Sequence, residues 1–224
     1  MATMAPSLAP PHALDVRVTR DDESAPAYVQ RAREGDTRAF QELFRAHRRD
    51  VARLVARLLG PRPEVEDVVQ EVFIQVFRSL PNFRGESRFT TWLHRVTVNV
   101  TLMHLRAARS RPRLGNELLD EPASPEGDSP VDHAARNQRL RALYKILDTL
   151  SEKKRAVFIL HDLDGVPAAQ IAAMVDSPVL TVRTRLFYAR REVYAAMAED
   201  PTLESIAREL AAGDAATSEA VSPR

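Results

Sequence analysis

Two runs of helical periodicity, parted by Asp176-Ser177-Pro178, constrain this chain more than any other stretch. Before the turn, Ile171, Ala172 and Val175 are apolar at helical spacing. After it, Val182, Leu186, Ala189 and Val193 recur at i, i+4, i+7 and i+11. That register leaves Arg183, Thr184, Phe187, Tyr188 and Arg191 on the opposite, outward face. A short helix crossing a tight turn into a helix that displays arginine, threonine and aromatic rings has the layout of a helix-turn-helix. The second helix of that motif enters the DNA major groove. A helical hairpin with solvated arginines makes the same pattern, so the rest of the chain has to decide.

With 224 residues, 44% of them hydrophobic, the chain buries a core and suits one or two domains. Seven glycines and few β-type alternations point to an all-α fold. The absence of cysteine rules out disulfides, a thiol nucleophile and Cys-ligated zinc, and fits a reducing cytoplasm. No apolar run approaches the roughly 18 residues of a membrane span, and the N-terminus lacks the apolar core of a signal peptide. A cytoplasmic protein outside the membrane is expected. The net charge of +1 hides a strong asymmetry. Ser87 to Arg113 holds six arginines and no acid, whereas Leu114 to Asp132 holds six acids and no Lys or Arg.

Along the chain, residues 1–24 are rich in Ala, Pro and Asp without periodicity and are expected to be disordered. A first helix runs from an Asp36 N-cap to Leu59, with Phe40, Leu43, Phe44, His47, Val51, Leu54, Val55 and Leu58 as its apolar stripe. Gly60-Pro61-Arg62-Pro63 ends it, and His47 reads as a packed core histidine. The second helix, Glu64 to Leu80, has two stripes. Val69, Val72, Phe73, Val76, Phe77 and Leu80 are expected in the core. Asp67, Gln70, Glu71, Ile74 and Arg78 form the other face, either solvated or a docking surface marked by its exposed isoleucine.

A loop, Pro81 to Ser87, leads to a third helix over about Arg88 to Arg109. Phe89, Trp92, Leu93, Val96, Val100 and Met103 are expected to pack inward, with Arg95, Asn99, Leu102, Arg106 and Arg109 on the other side. A stripe of Arg and Asn beside an aromatic-bearing loop suits phosphate contact and capture of an unstacked base. Residues 110–131 read as a flexible acidic linker. A fourth helix, Val131 to Leu150, precedes a Ser151-capped helix over Glu152 to His161 and a turn at Asp164-Gly165. After the helix-turn-helix comes a possible helix, Thr202 to Ala212. The chain beyond about Asp200 is otherwise expected to be a disordered tail.

Two motifs, in order, now carry a resemblance. EDVVQEVFIQVFRSLPNFRGESRFTTWLHRVTVNV resembles the second conserved region of sigma-70-family RNA polymerase sigma factors, most of all the compact extracytoplasmic function (ECF) group. LSEKKRAVFILHDLDGVPAAQIAAMVDSPVLTVRTRLFYAR resembles their fourth region. The resemblance implies two small helical domains. A region 2 bundle spans residues 25–112, and a region 4 helix-turn-helix domain spans 132–198. The linker over 113–131 joins them, and a tail over 199–224 follows. It also implies roles. Asp67, Gln70, Glu71 and Ile74 would dock on core RNA polymerase, at the clamp coiled coil of the largest subunit, with the polymerase flap as a further contact. Phe83, Arg88, Arg95, Asn99, Arg106 and Arg109 would melt and hold the minus-ten element, with Asn99 lining a pocket for a flipped base. Arg183, Thr184, Arg185, Phe187, Tyr188 and Arg191 would read the minus-thirty-five element, where arginine bonds guanine in bidentate fashion. A cognate anti-sigma factor is the implied regulator.

The sequence departs from the family at Leu180, where Gly is usual, at Tyr188, where Arg is common, and at Pro167, in place of a Ser or Thr cap. No cofactor, metal, small-molecule substrate or catalytic group is expected: the six histidines are scattered, and there is no phosphate-binding glycine loop or HExxH. The competing reading is a stand-alone helix-turn-helix regulator, which would leave the Asp67/Glu71 face without a purpose and would want a dimer interface.

Overall fold

The computed structural model describes residues 26–110 and 130–210, and every regular element among them is helical. In order they are α1 (Ala27–Arg33), α2 (Thr37–Leu59), α3 (Val65–Ser79), a short 3-10 turn (Leu80–Asn82), α4 (Phe89–Ser110), α5 (Pro130–Leu147), α6 (Glu152–Phe158), a π turn (Ile159–Leu163), α7 (Ala168–Met174) and α8 (Val179–Glu199). Residues 204–210 add a last helical stretch. The expectations for the N-terminal extension, most of the acidic linker and the far C-terminus fall outside the described residues.

Local chemistry sets the helix limits. The Asp36 side chain accepts from the backbone N–H of Arg38 at 2.8 Å and of Ala39 at 3.1 Å, which starts α2. Gly60 stops it at φ +86, a conformation glycine alone adopts cheaply. The Tyr144 ring lies against this glycine so closely that a Cβ there would sit 2.6 Å from the ring.

α1 to α4 form the first bundle, with Leu43, Val51, Leu54, Val55, Val68, Val69, Val72, Val76 and Leu93 among its buried residues. α1 escapes sequence reading because it is short, yet Val29 and Ala32 are buried and the Tyr28 hydroxyl lies 3.1 Å from His47 Nε2. His47 packs against Phe89 as expected, and burial lowers its pKa.

Two expected core positions and one expected outer position are corrected. Phe77 is 57% exposed, resting edge-on against Phe40. At 3.6 residues per turn it lies about 100° from the centre of the Val69/Val72/Val76 stripe, beside Ile74. Met103 is 66% exposed, and Leu102, expected on the outer side, is buried. Thr97 and Thr101 explain the shift. Their hydroxyls donate to the carbonyls of Leu93 and Thr97 at 2.9 and 2.8 Å, so both threonines join the inward row. In addition, α4 is flanked by α2 and α3 on one side and by α6 and α7 on the other, so a second arc of it is covered.

α5 to α8 form the second unit. Val182, Leu186, Ala189, Val193 and Met197 of α8 are buried, matching the periodicity. Over 201–210 the possible helix from Thr202 is present and the expected disorder is not: Leu203, Ile206 and Ala207 are buried, and Asp200 accepts from the Thr202 N–H at 2.8 Å to open the final turn.

Candidate nucleic-acid interface

α8 carries its polar face on a rigid mount. Pro178 and Asp176 (φ +48) make the turn, and Arg185 reaches back to donate to Ser177 Oγ at 3.0 Å. Arg190 forks onto Asp162 at 2.7 and 2.8 Å, fixing α8 to the π turn before α7. Lys154 pairs with Glu192 at 2.6 Å and lies 5.9 Å above the Tyr188 ring. What remains outward is Leu180, Arg183, Thr184, Phe187, Tyr188 and Arg191. Among the described residues, no carboxylate pairs with Arg183 or Arg191. The Thr184 hydroxyl donates to the Leu180 carbonyl at 3.0 Å, so it offers a methyl group and lone pairs. Of the residues expected here, five face solvent together. Arg185 is half-buried and holds the turn.

On α4 the expected row splits. Arg88, Arg95 and Asn99 face solvent, joined by Met103, which the sequence placed in the core. Phe83 is corrected: it is buried, with its ring centroid 5.3 Å from that of Trp92 and 5.8 Å from that of Phe89. Its ring braces the loop and does not stand open to a base. Arg106 and Arg109 turn toward the second unit. Arg106 donates to Glu152 at 2.6 and 2.9 Å, and Arg109 lies 3.5 Å from the same carboxylate and donates to the Asp148 and Leu150 carbonyls.

α3 presents the third surface. Asp67, Gln70, Glu71 and Ile74 are all exposed on one side, Ile74 by 50%, with Phe77 beside it. Two exposed apolar side chains adjoining two carboxylates and an amide form a mixed patch suited to a protein partner.

Between the units lies a polar interface that no sequence pattern announced. Arg155 is 1% exposed; its Nε donates to the Leu58 carbonyl at 2.9 Å and its Nη2 to Leu59 at 2.7 Å, while Nη1 pairs with Asp148. The last carbonyls of a helix have no partner within it, so Arg155 caps α2 from the other domain. Asp148 also takes Arg62 at 2.5 Å, and the Tyr144 hydroxyl donates to the Arg57 carbonyl at 2.9 Å. Asp164 is buried opposite Arg57, 3.3 Å away; burial raises its pKa to about 6 against the pull of that arginine. Burial lowers the Arg155 pKa, with Asp148 opposing. The one available signal for Arg155 was its register, three residues before buried Phe158 and four before buried Ile159.

Among the described residues no cluster of His, Asp and Glu is arranged to hold a metal ion, and no helix is long and apolar enough to cross a membrane.

A sequence profile for Sigma-70 region 2 matches residues 43–111, and one for Sigma-70 region 4 matches residues 140–193. The ECF RNA polymerase sigma-E factor of Escherichia coli K12 is 36% identical over 172 residues, covering 74% of this chain and 90% of that protein. Its counterpart from Haemophilus influenzae is 35% identical over 175 residues, with 75% and 92% covered. Among solved structures, CnrH in complex with the cytosolic domain of CnrY aligns with a TM-score of 0.54 at 25% identity, over 77% of this chain and 96% of that one. RpoE in complex with the anti-sigma factor NepR from Bartonella quintana shares the fold, with a TM-score of 0.52 at 19% identity over 72% and 98% of the two chains.

Proposed function

This chain belongs to the ECF group of sigma-70-family RNA polymerase sigma factors, and on that footing we propose how its three surfaces divide the work of promoter-specific initiation. It is an initiation subunit: it binds core RNA polymerase and directs it to promoters. The family is one of non-enzymatic initiation factors, so the chemistry of transcription belongs to the polymerase and this chain supplies address and strand opening. It works where polymerase and chromosome are, in the cytoplasm.

α3 takes the polymerase. Asp67, Gln70 and Glu71 contact the clamp coiled coil of the largest subunit, and Ile74 is buried there, which removes its exposure to water. α4 takes the minus-ten element. Arg88 and Arg95 hold phosphates and Asn99 offers both an amide donor and an acceptor to a base drawn out of the stack. Unstacking costs a few kcal/mol, offset by polymerase binding energy and by contacts that duplex DNA cannot make. α8 takes the minus-thirty-five element in the major groove. Arg183 is the base reader, with Thr184 and Phe187 beside it and Arg191 on the backbone. Arg185 contributes by holding the turn through Ser177.

The observation that carries this reading is the coexistence, on one chain, of the exposed acid-amide-isoleucine face on α3 and the mounted arginine face on α8. A stand-alone regulator needs only the second, and the first lies within the stretch that matches region 2. An anti-sigma factor is the partner that holds the protein inactive; CnrH, solved in complex with the cytosolic domain of CnrY, supports a protein partner for a chain of this fold.

The test is reconstitution. Core polymerase plus this chain should protect and open a promoter in a permanganate-reactivity assay, and core polymerase alone should not. Asn99→Ala should lower opening at least tenfold while leaving polymerase binding within about twofold. An intact chain that binds polymerase and opens no promoter from its own genome would overturn the reading.

A further inference from the structure

The two arginines at the end of α4 are already paired in this arrangement, although Arg106 keeps 62% of its side chain exposed and Arg109 33%. Glu152, the first residue of α6, sits between them with only 16% of its side chain exposed. Arg106 reaches it through Nε and Nη2, both donating to Oε1, a charge-assisted contact of the kind a guanidinium also makes with a phosphate oxygen. Arg109 approaches its other oxygen and is held further by the Asp148 and Leu150 carbonyls. We propose that Glu152 is a built-in surrogate for DNA phosphate, occupying Arg106 and Arg109 in the closed chain so that the free protein is blocked at its minus-ten surface until the two domains part. The inference rests on the assignment of the α4 row to the minus-ten strand.

Three further observations support it. The contact lies where the domains meet, since α4 packs against both α6 and α7. The same interface carries the Arg155 cap on α2, the Arg62–Asp148 pair and the Tyr144–Gly60 contact, so the closed arrangement is a built one and not a lone surface ion pair. The hydrogen bond from Arg106 above all, then its own backbone N–H, holds the Glu152 carboxyl below the usual carboxylate range and keeps it anionic, as a phosphate surrogate must be.

Geometry then demands opening. Two elements named for positions 25 base pairs apart stand about 85 Å apart along straight B-DNA at 3.4 Å per pair. Each folded unit is about 30 Å across, so two units in contact reach about 60 Å between their outermost points. The closed chain therefore presents α8 to DNA while α4 is partly spent on α6. Engagement of polymerase, which holds the domains at promoter spacing, exchanges the Glu152 carboxylate for backbone phosphate. Glu152 is then left to solvent, and two arginines are released to the strand.

The experiment uses the full chain without polymerase and a fluorescein-labelled, mixed-sequence single-stranded oligonucleotide, read by anisotropy across a salt series. Glu152→Gln should bind about five- to tenfold more tightly than the unaltered chain. Its slope of log K against log salt should be steeper by about 1.4, the counterions released by two further phosphate contacts on a single strand. Glu209→Gln, which removes an exposed charge elsewhere, controls for the change in net charge. The gain should vanish when Arg106→Gln and Arg109→Gln are added. A Glu152→Gln chain no tighter than the Glu209→Gln chain, or a gain that survives loss of both arginines, overturns the proposal. Promoter opening with polymerase, run in parallel, keeps the two levels apart. If opening is normal and Glu152→Gln is silent, the surrogate role alone falls. If Arg106→Gln/Arg109→Gln opens promoters as well as the unaltered chain, the phosphate role of these arginines falls first.

Discussion

Arg155→Met removes the guanidinium that joins the domains while keeping most of its apolar stem. Three interactions go: the bonds to the Leu58 and Leu59 carbonyls at 2.9 and 2.7 Å, and the pair with Asp148. The face of Tyr144, 5.6 Å from the guanidinium, also loses its cation. The two carbonyls belong to the last turn of α2 and have no helical partner to fall back on. Leaving buried acceptors unpaired costs about 1–3 kcal/mol each, and removing one partner of a buried ion pair costs about 3–5 kcal/mol. These losses overlap, and Asp148 keeps Arg62. We therefore expect about 3–5 kcal/mol, which at 1.4 kcal/mol per decade shifts the closed-to-open balance by roughly two to three and a half powers of ten. Because the chain has no cysteine, Ala46→Cys on α2 and Ala195→Cys on α8, both exposed, take a dye pair without competition. Energy transfer between them should fall in the Arg155→Met chain while far-ultraviolet circular dichroism stays unchanged. Asp148→Asn added to Arg155→Met should cost less than it does alone, since both remove one network. Unchanged energy transfer, with a thermal midpoint within a degree or two of the unaltered chain, would refute the assignment of Arg155 as the domain clasp.

Arg183→Ala should weaken promoter activity by about 1–3 kcal/mol and relax preference at one minus-thirty-five position, with polymerase co-elution unchanged; a promoter library read before and after the substitution checks this. Asp164 gives a pH signature whose sign follows from its raised pKa. The folded chain holds this proton to about pH 6 and the unfolded chain releases it near 3.8, so this group's contribution to stability falls as pH rises through that window and is flat above it. That difference corresponds to at most about 3 kcal/mol. Asp164→Asn should accordingly gain on the unaltered chain between pH 4.5 and 7.5, by several degrees in thermal midpoint; a pH-independent difference would show that the carboxyl is ionised throughout.

The sequence was most legible where one face alone meets a core. Val182, Leu186, Ala189 and Val193 are buried where the 3.6-residue period placed them, and Asp67, Gln70, Glu71 and Ile74 emerge on one side of α3 for the same reason. Legibility failed where burial depends on a second partner or on a polar side chain turning inward. Thr97 and Thr101 satisfy their hydroxyls on their own helix and so enter the core, and Leu102 follows them. Phe83 looked like a loop aromatic open to a base, but Trp92 and Phe89 close over it. The clasp was invisible because its partners lie far apart in sequence: Arg155 and Leu58 are separated by 97 residues. Nothing in either local pattern states that a charged side chain of one domain completes a helix end of the other. Leu203, Ile206 and Ala207 lie where the possible helix from Thr202 was read; what the sequence did not state was that this helix packs into the core.

In this reading α3 seats the protein on core RNA polymerase, and that contact can be measured directly. The measurement is co-elution of the purified full chain with bacterial core polymerase on a sizing column, at moderate salt and without DNA, beside the double reversal Asp67→Lys and Glu71→Lys. Both positions are solvent-exposed, so the reversal should leave the fold intact. The unaltered chain should migrate with polymerase, and the reversed chain should elute alone with unchanged helicity. Failure of the unaltered chain to co-elute, while it still binds duplex DNA, would contradict the account and restore the stand-alone regulator.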